Sequence, residues 1–163
     1  MTSPTGRLES SSGLYTRGLL DTLLKHEIAQ CARYGNPLSL VMISLVGAPD
    51  DDEAIWQKAT DIVVRVINAN LRSSDIPGHY GRDFLIVMPY ADSAGATVVA
   101  RRLLETMNEL FAAGALKGLG ACAGLALHSG ADEANPKLLV RRVQSAALQA
   151  REMVVGQIIQ ATG

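Results

Sequence analysis

Residues 72–89 carry the strongest chemical pattern in the sequence and read RSSDIPGHYGRDFLIVMP. Arg72 and Asp75 lie three positions apart in a charged loop that leads into a turn at Gly81. The run from Phe84 to Met88 is continuously apolar, as in a strand buried on both faces. The pattern predicts a β-hairpin at residues 76–89 with charged side chains at its end. We expect a ligand pocket there.

Other residues with reactive or metal-binding side chains do not form a metal site in the sequence. The three aspartates at 50–52 are expected to cap the following helix, because consecutive carboxylates point in different directions at a helix start. The three histidines share no ligand spacing and are expected at the surface or at strand edges (His26, His79 and His128). Cys31 and Cys122 show neither metal spacing nor a disulfide framework, which indicates two buried thiols.

Length and composition indicate one globular domain. A chain of 163 residues can bury a real core, and 48% hydrophobic with 19% charged residues is typical of soluble globular proteins. Since the net charge is only -1, no overall field attracts nucleic acid or a membrane, and we expect neither as a partner. No apolar run or leader pattern indicates a membrane span or export, so a cytoplasmic location is expected.

The predicted elements alternate between helices and strands. Residues 1–10 are rich in small and polar residues and are expected to be a flexible N-terminal segment, with a single domain at 11–163. Periodicity and turn residues predict helices at about 13–35, 53–71, 92–111 and from 136 onward, and strands at 38–46, 76–80, 84–88 and 119–127. The third helix should bury one stripe of side chains (Val99, Leu103, Met107 and Leu110).

The order of these elements predicts an α+β fold. A strand–helix–strand crossover combined with a hairpin gives a ferredoxin-like core elaborated by extra helices. We expect a central, mainly antiparallel sheet flanked by helices, with the helices layered on one face.

Four blocks of the sequence, in the right order, carry a family resemblance. The first two are GLYTR at 13–17, which resembles L-T-G-L-x-N-R, and RYGNPLSL at 33–40, which resembles R-Y-x-x-P-L-S-L. The others are the hairpin at 75–89 and the segment 146–151, which resembles A-L-Y-x-A-K. Together they resemble the GGDEF family, the diguanylate cyclases that condense two GTP into cyclic di-GMP. The resemblance covers nearly the whole chain and implies a nucleotidyl cyclase-like core.

The residues that the family uses for catalysis are missing. Joining two nucleoside triphosphates requires divalent metal held by carboxylates. Ser44 stands where the family has its metal-binding Asp, and Val46 replaces a second acid. The signature is one residue short, and Arg82 replaces a glycine beside Asp83. The resemblance therefore implies a degenerate domain with no catalytic residue, no metal ligand and no required cofactor, which is not an enzyme.

The residues of the family's inhibitory product site are present. Arg72 and Asp75 match its RxxD motif, and Arg102 matches a second arginine on the following helix. An arginine fork can donate to O6 and N7 of guanine or to phosphate, and a carboxylate can accept from the guanine N–H edge. The resemblance thus implies a cyclic di-GMP receptor that binds through Arg72, Asp75 and Arg102.

Two other functions fit the same sequence. The fold could serve as a ligand-independent interaction or dimerisation module. It could also be a GTP-binding regulator or residual cyclase that uses Asp83 and Arg151. A protein partner or self-association is expected, including a ligand-bridged dimer with an arginine from a second copy.

Overall fold

The computed structural model describes residues 13–49, 51–114, 116, 118–128, 135–153 and 155–161, so the segment expected to be flexible at 1–10 lies outside the described residues. The helices are α1 (Arg17–Tyr34), α2 (Glu53–Asn70), α3 (Ser93–Ala113) and α4 (Pro136–Arg151). The strands are β1 (Leu38–Val46), β2 (Ile76–Tyr80), β3 (Asp83–Pro89), β4 (Gly120–Leu127) and β5 (Ile158–Gln160). None of the helices in the described ranges has the length and apolar character that a membrane span requires.

The strands form one sheet in the order β2-β3-β1-β4-β5. The central strand β1 runs antiparallel to β3 and β4, and the hairpin places β2 at one edge. At the other edge β5 pairs in parallel with β4. The predicted α+β fold, the mainly antiparallel sheet and the hairpin are confirmed, whereas β5 was not predicted.

Helices cover both faces of the sheet. α2 and α3 pack on one face, and α1 and α4 pack on the other. The prediction of helices on one face is therefore wrong. The reason lies in β1, where every residue but Val46 is buried, because a strand with two apolar faces must be covered on both sides.

Local sequence signals define the helix ends. α1 ends at Gly35, which adopts a left-handed φ of 70° as a C-cap. The Asp52 side chain accepts a hydrogen bond from the Ile55 amide at 3.2 Å, so the capping role predicted for this aspartate is confirmed. Asp50 lies outside the described residues. Asn135 caps α4, since its side chain accepts a hydrogen bond from the Lys137 amide at 3.2 Å.

The segment before α1 holds the hairpin in place. The Tyr15 amide donates to the Pro77 carbonyl at 3.0 Å, and the His79 amide donates to the Tyr15 carbonyl at 2.9 Å. A Cβ on Gly78 would lie 2.7 Å from Leu20 Cδ2, so glycine allows α1 to pack closely on β2. The position of the hairpin relative to α1 is fixed by these contacts.

The buried stripe of α3 differs from the prediction at one end. Leu103 and Met107 are buried as expected, but Leu110 is 41% exposed and Phe111 is buried instead. Phe111 lies four residues beyond Met107, about one turn of the helix, so it continues the same buried face.

Candidate functional site

Arg72 and Asp75 form a bonded pair in the loop between α2 and β2. The Asp75 carboxylate accepts from the Arg72 amide at 2.9 Å and from Arg72 Nη2 at 3.1 Å. Arg72 Nη2 also donates to the Pro89 carbonyl at 3.3 Å. The predicted pair is therefore assembled, and its guanidinium is tied to the end of β3 as well.

The two members of the pair differ in exposure. The Asp75 side chain is 1% exposed, whereas the Arg72 side chain is 53% exposed. In this arrangement both carboxylate oxygens of Asp75 are engaged by Arg72. The buried Asp75 carboxylate thus holds one edge of the Arg72 guanidinium, and the rest of the guanidinium faces solvent.

Arg102, the third residue of the predicted site, lies exposed on α3. Within the described residues no hydrogen bond or ion pair joins its side chain to Arg72 or Asp75. Its neighbour Arg101 is equally exposed. The structure thus assembles two of the three predicted residues and leaves the third as an independent surface cation.

The hairpin ends in a two-residue turn. Tyr80 and Asp83 are cross-strand partners, so only Gly81 and Arg82 form the loop. Gly81 has a φ of 65°, whereas no positive φ occurs at Arg82. Glycine with positive φ at the first loop position is the pattern of a type II′ hairpin turn. The end of the hairpin is therefore a tight two-residue turn.

Arg82 fills the space beside this turn. Its guanidinium donates to Glu53 Oε1 at 2.8 Å and lies 4.2 Å from the centre of the Trp56 ring. The adjoining cavity, lined by these side chains together with His79 and Phe84, has a volume of about 160 Å³. Ligand pockets for small molecules span roughly 300–1,000 Å³, so with Arg82 in place this space is smaller than a typical small-molecule pocket.

A second cluster lies on the sheet, at the position to which the sequence resemblance assigns the metal ligands. Asp83 lies close to the Ser44 side chain, and the Arg151 charge lies nearby. Burial raises the pKa of Asp83 above its usual value, and both of these contacts oppose the shift. Next to it, burial raises the pKa of the Cys122 thiol to about 11. Cys122 Sγ contacts the Ser44 carbonyl at 3.7 Å.

This Ser44–Asp83 cluster does not fit a magnesium pair. It provides one carboxylate and a neutral hydroxyl, whereas magnesium prefers several hard oxygen ligands, chiefly carboxylates. In the described part of the chain, no group of three or more histidine, cysteine, aspartate or glutamate side chains could hold a metal ion. Both cysteines are buried and free, as predicted.

The histidines lie apart, as predicted. His26 is exposed on α1, and His128 follows the end of β4. His79 lies in the edge strand β2, with its ring centroid 5.8 Å from that of Phe84. Burial lowers the pKa of His79.

Comparisons with known proteins agree with this architecture. No family model matches the sequence. The probable diguanylate cyclase DgcC of Escherichia coli is 24% identical over 107 residues, which are 63% of this chain and 29% of DgcC. The diguanylate cyclase DosC of Escherichia coli is 30% identical over 101 residues, which are 59% of this chain and 22% of DosC. The chain thus spans less than a third of the length of these curated relatives.

Solved structures show the same fold at low sequence identity. The diguanylate cyclase SiaD of Pseudomonas aeruginosa, in complex with its activator SiaC, aligns with a TM-score of 0.80 at 20% identity over 96% of this chain and 62% of SiaD. The GGDEF domain of DgcB from Caulobacter crescentus, in complex with cyclic di-GMP, aligns with a TM-score of 0.76 at 15% identity over 100% of this chain and 97% of that domain.

Sheet order, helix layers and hairpin define a nucleotidyl cyclase-like α+β domain. More narrowly, the fold is that of the GGDEF domains of diguanylate cyclases.

Proposed function

We propose that this chain is a degenerate GGDEF domain that makes no cyclic di-GMP and instead binds it through Arg72, Asp75 and Arg102. The observation that carries the proposal is the geometry of Arg72. Asp75 and the Pro89 carbonyl hold its guanidinium in place, and half of the side chain faces solvent. An arginine fixed in this way loses little side-chain entropy when it binds a ligand.

The ligand class follows from the chemistry that a fixed guanidinium recognises. Nε and Nη2 are engaged by Asp75 and the Pro89 carbonyl, so Nη1 is the group that can donate to guanine O6 or N7 or to a phosphate oxygen. The charge of the guanidinium can also offset a phosphate. Arg102 would supply the second cation for a ligand with two phosphates. The DgcB domain, which has the same fold, forms a complex with cyclic di-GMP, and this supports the choice of ligand.

Two observations support the loss of cyclase activity. Ser44 offers only a hydroxyl where metal-dependent phosphoryl transfer needs a carboxylate beside Asp83. Arg82, in contact with Glu53 and Trp56, occupies the space next to the hairpin turn. The curated relatives DgcC and DosC are named as diguanylate cyclases. On this proposal the chain has kept their fold and lost their catalytic activity.

The experiment that tests the proposal is a calorimetric titration of cyclic di-GMP into the whole chain. We expect saturable binding that Arg72→Ala or Arg102→Ala weakens by about tenfold or more, as for the loss of one charge-assisted hydrogen bond. Arg101→Ala removes the neighbouring exposed cation of the same helix and is the matched control, with unchanged affinity expected. Absence of heat at high micromolar ligand, or wild-type affinity in Arg72→Ala, would overturn the receptor proposal.

A ligand-independent interaction module is the second candidate, and two exposed aromatic side chains favour it. Tyr34 is 68% exposed and Tyr90 is 57% exposed. Tyr34 ends α1 just before the turn that leads into β1, and the amide of Tyr90 donates to the Pro37 carbonyl of that turn at 2.8 Å. Three results together would support this function. The chain would associate without cyclic di-GMP, Arg72→Ala would leave the association intact, and Tyr34→Ser with Tyr90→Ser would abolish it.

A further inference from the structure

A groove lies between α1 and α4, on the sheet face opposite α2 and α3. It encloses about 700 Å³, much more than the space beside the hairpin turn. Its floor is apolar and consists of the buried side chains Leu24, Tyr80 and Val140. The two helices form its walls. We call this feature the α1–α4 groove.

The walls of the groove are strongly cationic. Four basic side chains and one acidic side chain line them, a formal charge of +3 in a chain whose net charge is -1 (Arg17, Lys25, Lys137, Arg141 and Asp21). No ion pair neutralises any of the four basic groups within the part of the chain that the structure describes. Arg17 is fixed over the floor, with its guanidinium 4.0 Å from the centre of the Tyr80 ring.

The spacing of the cations selects the kind of anion. Arg17 and Lys25 are eight residues apart on α1, which corresponds to about 12 Å along the helix. A single phosphate could contact both only if the two long side chains bent towards each other. The amide groups at the start of α4 offer little to a phosphate either, since Lys137 N and Leu138 N already donate to Asn135. An extended ligand with several separated carboxylates matches this distribution better.

We propose that the α1–α4 groove binds an acidic amphipathic segment of a partner protein. Its apolar side chains would lie on the floor formed by Leu24, Tyr80 and Val140, and its carboxylates would pair with the cations of the two walls. Binding of an amphipathic helix in a groove between helices is a common mode of peptide recognition. This site is separate from Arg72, Asp75 and Arg102, so it does not depend on the proposed binding of cyclic di-GMP.

Fluorescence anisotropy of the whole chain with a labelled synthetic peptide tests the proposal. The peptide is helical, with glutamates on one face and leucines on the other. We expect saturable binding that weakens as salt rises, because charge attraction between partly exposed groups is screened. Lys25→Glu with Arg141→Glu should weaken binding by at least about tenfold, since two close charge pairs become repulsive. Lys25→Gln with Arg141→Gln should give an intermediate loss.

The matched control reverses two exposed cations on the other sheet face. Lys58→Glu with Arg65→Glu changes the net charge by the same amount but acts on α2. We expect wild-type binding in this variant, and circular dichroism melting of all variants checks that the fold is intact. Equal weakening of peptide binding in both double variants would show non-specific charge attraction and no defined site, and it would overturn the proposal. No binding of the peptide by the wild-type chain would do so as well.

Inorganic pyrophosphate serves as the competing ligand. We expect it to displace the peptide only at concentrations where salt does the same. The opposite result would be tight pyrophosphate binding and weak peptide binding, with the pyrophosphate binding abolished by Lys25→Glu with Arg141→Glu. It would assign the groove to phosphate ligands and overturn the peptide proposal.

Discussion

At the scale of single residues, the Arg72–Asp75 pair combines a structural role with the proposed binding role. Asp75 is a buried carboxylate that accepts hydrogen bonds from both the amide and the guanidinium of Arg72. Its loss would therefore affect the fold before it affected a ligand. For this reason Arg72, whose side chain is half exposed, is the cleaner probe of binding.

Asp75→Ala tests the structural role. We expect it to lower the free energy of unfolding by about 2 kcal/mol, because the Arg72 amide loses its acceptor and a buried space remains. Arg72→Ala should cost less, since the Asp75 carboxylate keeps the amide bond and the lost side chain was half solvated. Urea denaturation of both variants measures the difference. Wild-type stability in Asp75→Ala would show that water replaces these contacts.

Asp83→Asn tests the electrostatics of the Ser44–Asp83 cluster. Burial raises the pKa of Asp83 in the folded chain, so ionisation of this group opposes folding. The cost is absent below the ordinary aspartate pKa of 3.8 and is fully present above the raised pKa of the folded state. We therefore expect the variant to be more stable than wild type at neutral pH, and the difference to vanish in acid. Thermal melts across this pH range measure it, and a gain that persists in acid would contradict the ionic cause.

At the scale of secondary-structure elements, glycine positions reveal where the layers approach most closely. Gly124 on β4 lies against the backbone of α4, where an added Cβ would meet Ala147 N and lie 2.6 Å from the Val143 carbonyl oxygen. Gly18 on α1 is exposed, and a Cβ there would meet nothing within 4 Å.

Alanine at these two positions should have opposite effects. Gly124→Ala should destabilise the fold by about 1–3 kcal/mol or more, because a helix backbone cannot yield as a side chain can. Gly18→Ala should stabilise it by about 0.5 kcal/mol through helix propensity. Chemical denaturation of the pair measures both signs. A neutral Gly124→Ala would mean that α4 can move away from β4.

Local patterns predicted most of these elements because each has its own signals. Gly35 ends α1, Asp52 caps α2, and the apolar run of β1 marks a central strand. The last strand, Ile158–Gln160, could not be predicted, since three residues carry no periodicity and its pairing with β4 is a tertiary contact. The placement of helices on both faces follows from the almost entirely apolar sequence of β1, but it was not predicted from that sequence.

The candidate site was predictable only where its partners are close in sequence. The spacing of Arg72 and Asp75 by three residues places them in one loop, so their pairing follows from local structure. The contact between Arg82 and Glu53 joins residues 29 positions apart and has no local signal. The one sequence signal for this contact was Arg82 itself. A long charged side chain in a position suited to a small turn residue indicates a nearby partner.

At the scale of the whole molecule, the two proposed binding surfaces lie on different parts of the sheet. Arg102 is on the α2–α3 side, and the α1–α4 groove is on the other. The chain could therefore bind a dinucleotide and an acidic partner at the same time. Both surfaces depend on an intact sheet, so binding at either should stabilise the whole domain.

Thermal melting with nucleotides separates the receptor from an enzyme at this scale. Cyclic di-GMP at about 100 times its dissociation constant should stabilise the fold by about 2.7 kcal/mol. For a domain of this size, that shifts the melting temperature by roughly 5–10 °C. GTP with magnesium should cause no shift, because Arg82 fills the space beside the turn and Ser44 cannot replace a carboxylate. Differential scanning fluorimetry measures all three states, with GTP without magnesium as the control for non-specific anion binding. A magnesium-dependent shift with GTP would contradict the loss of the substrate site and favour a GTP-binding regulator that uses Asp83 and Arg151.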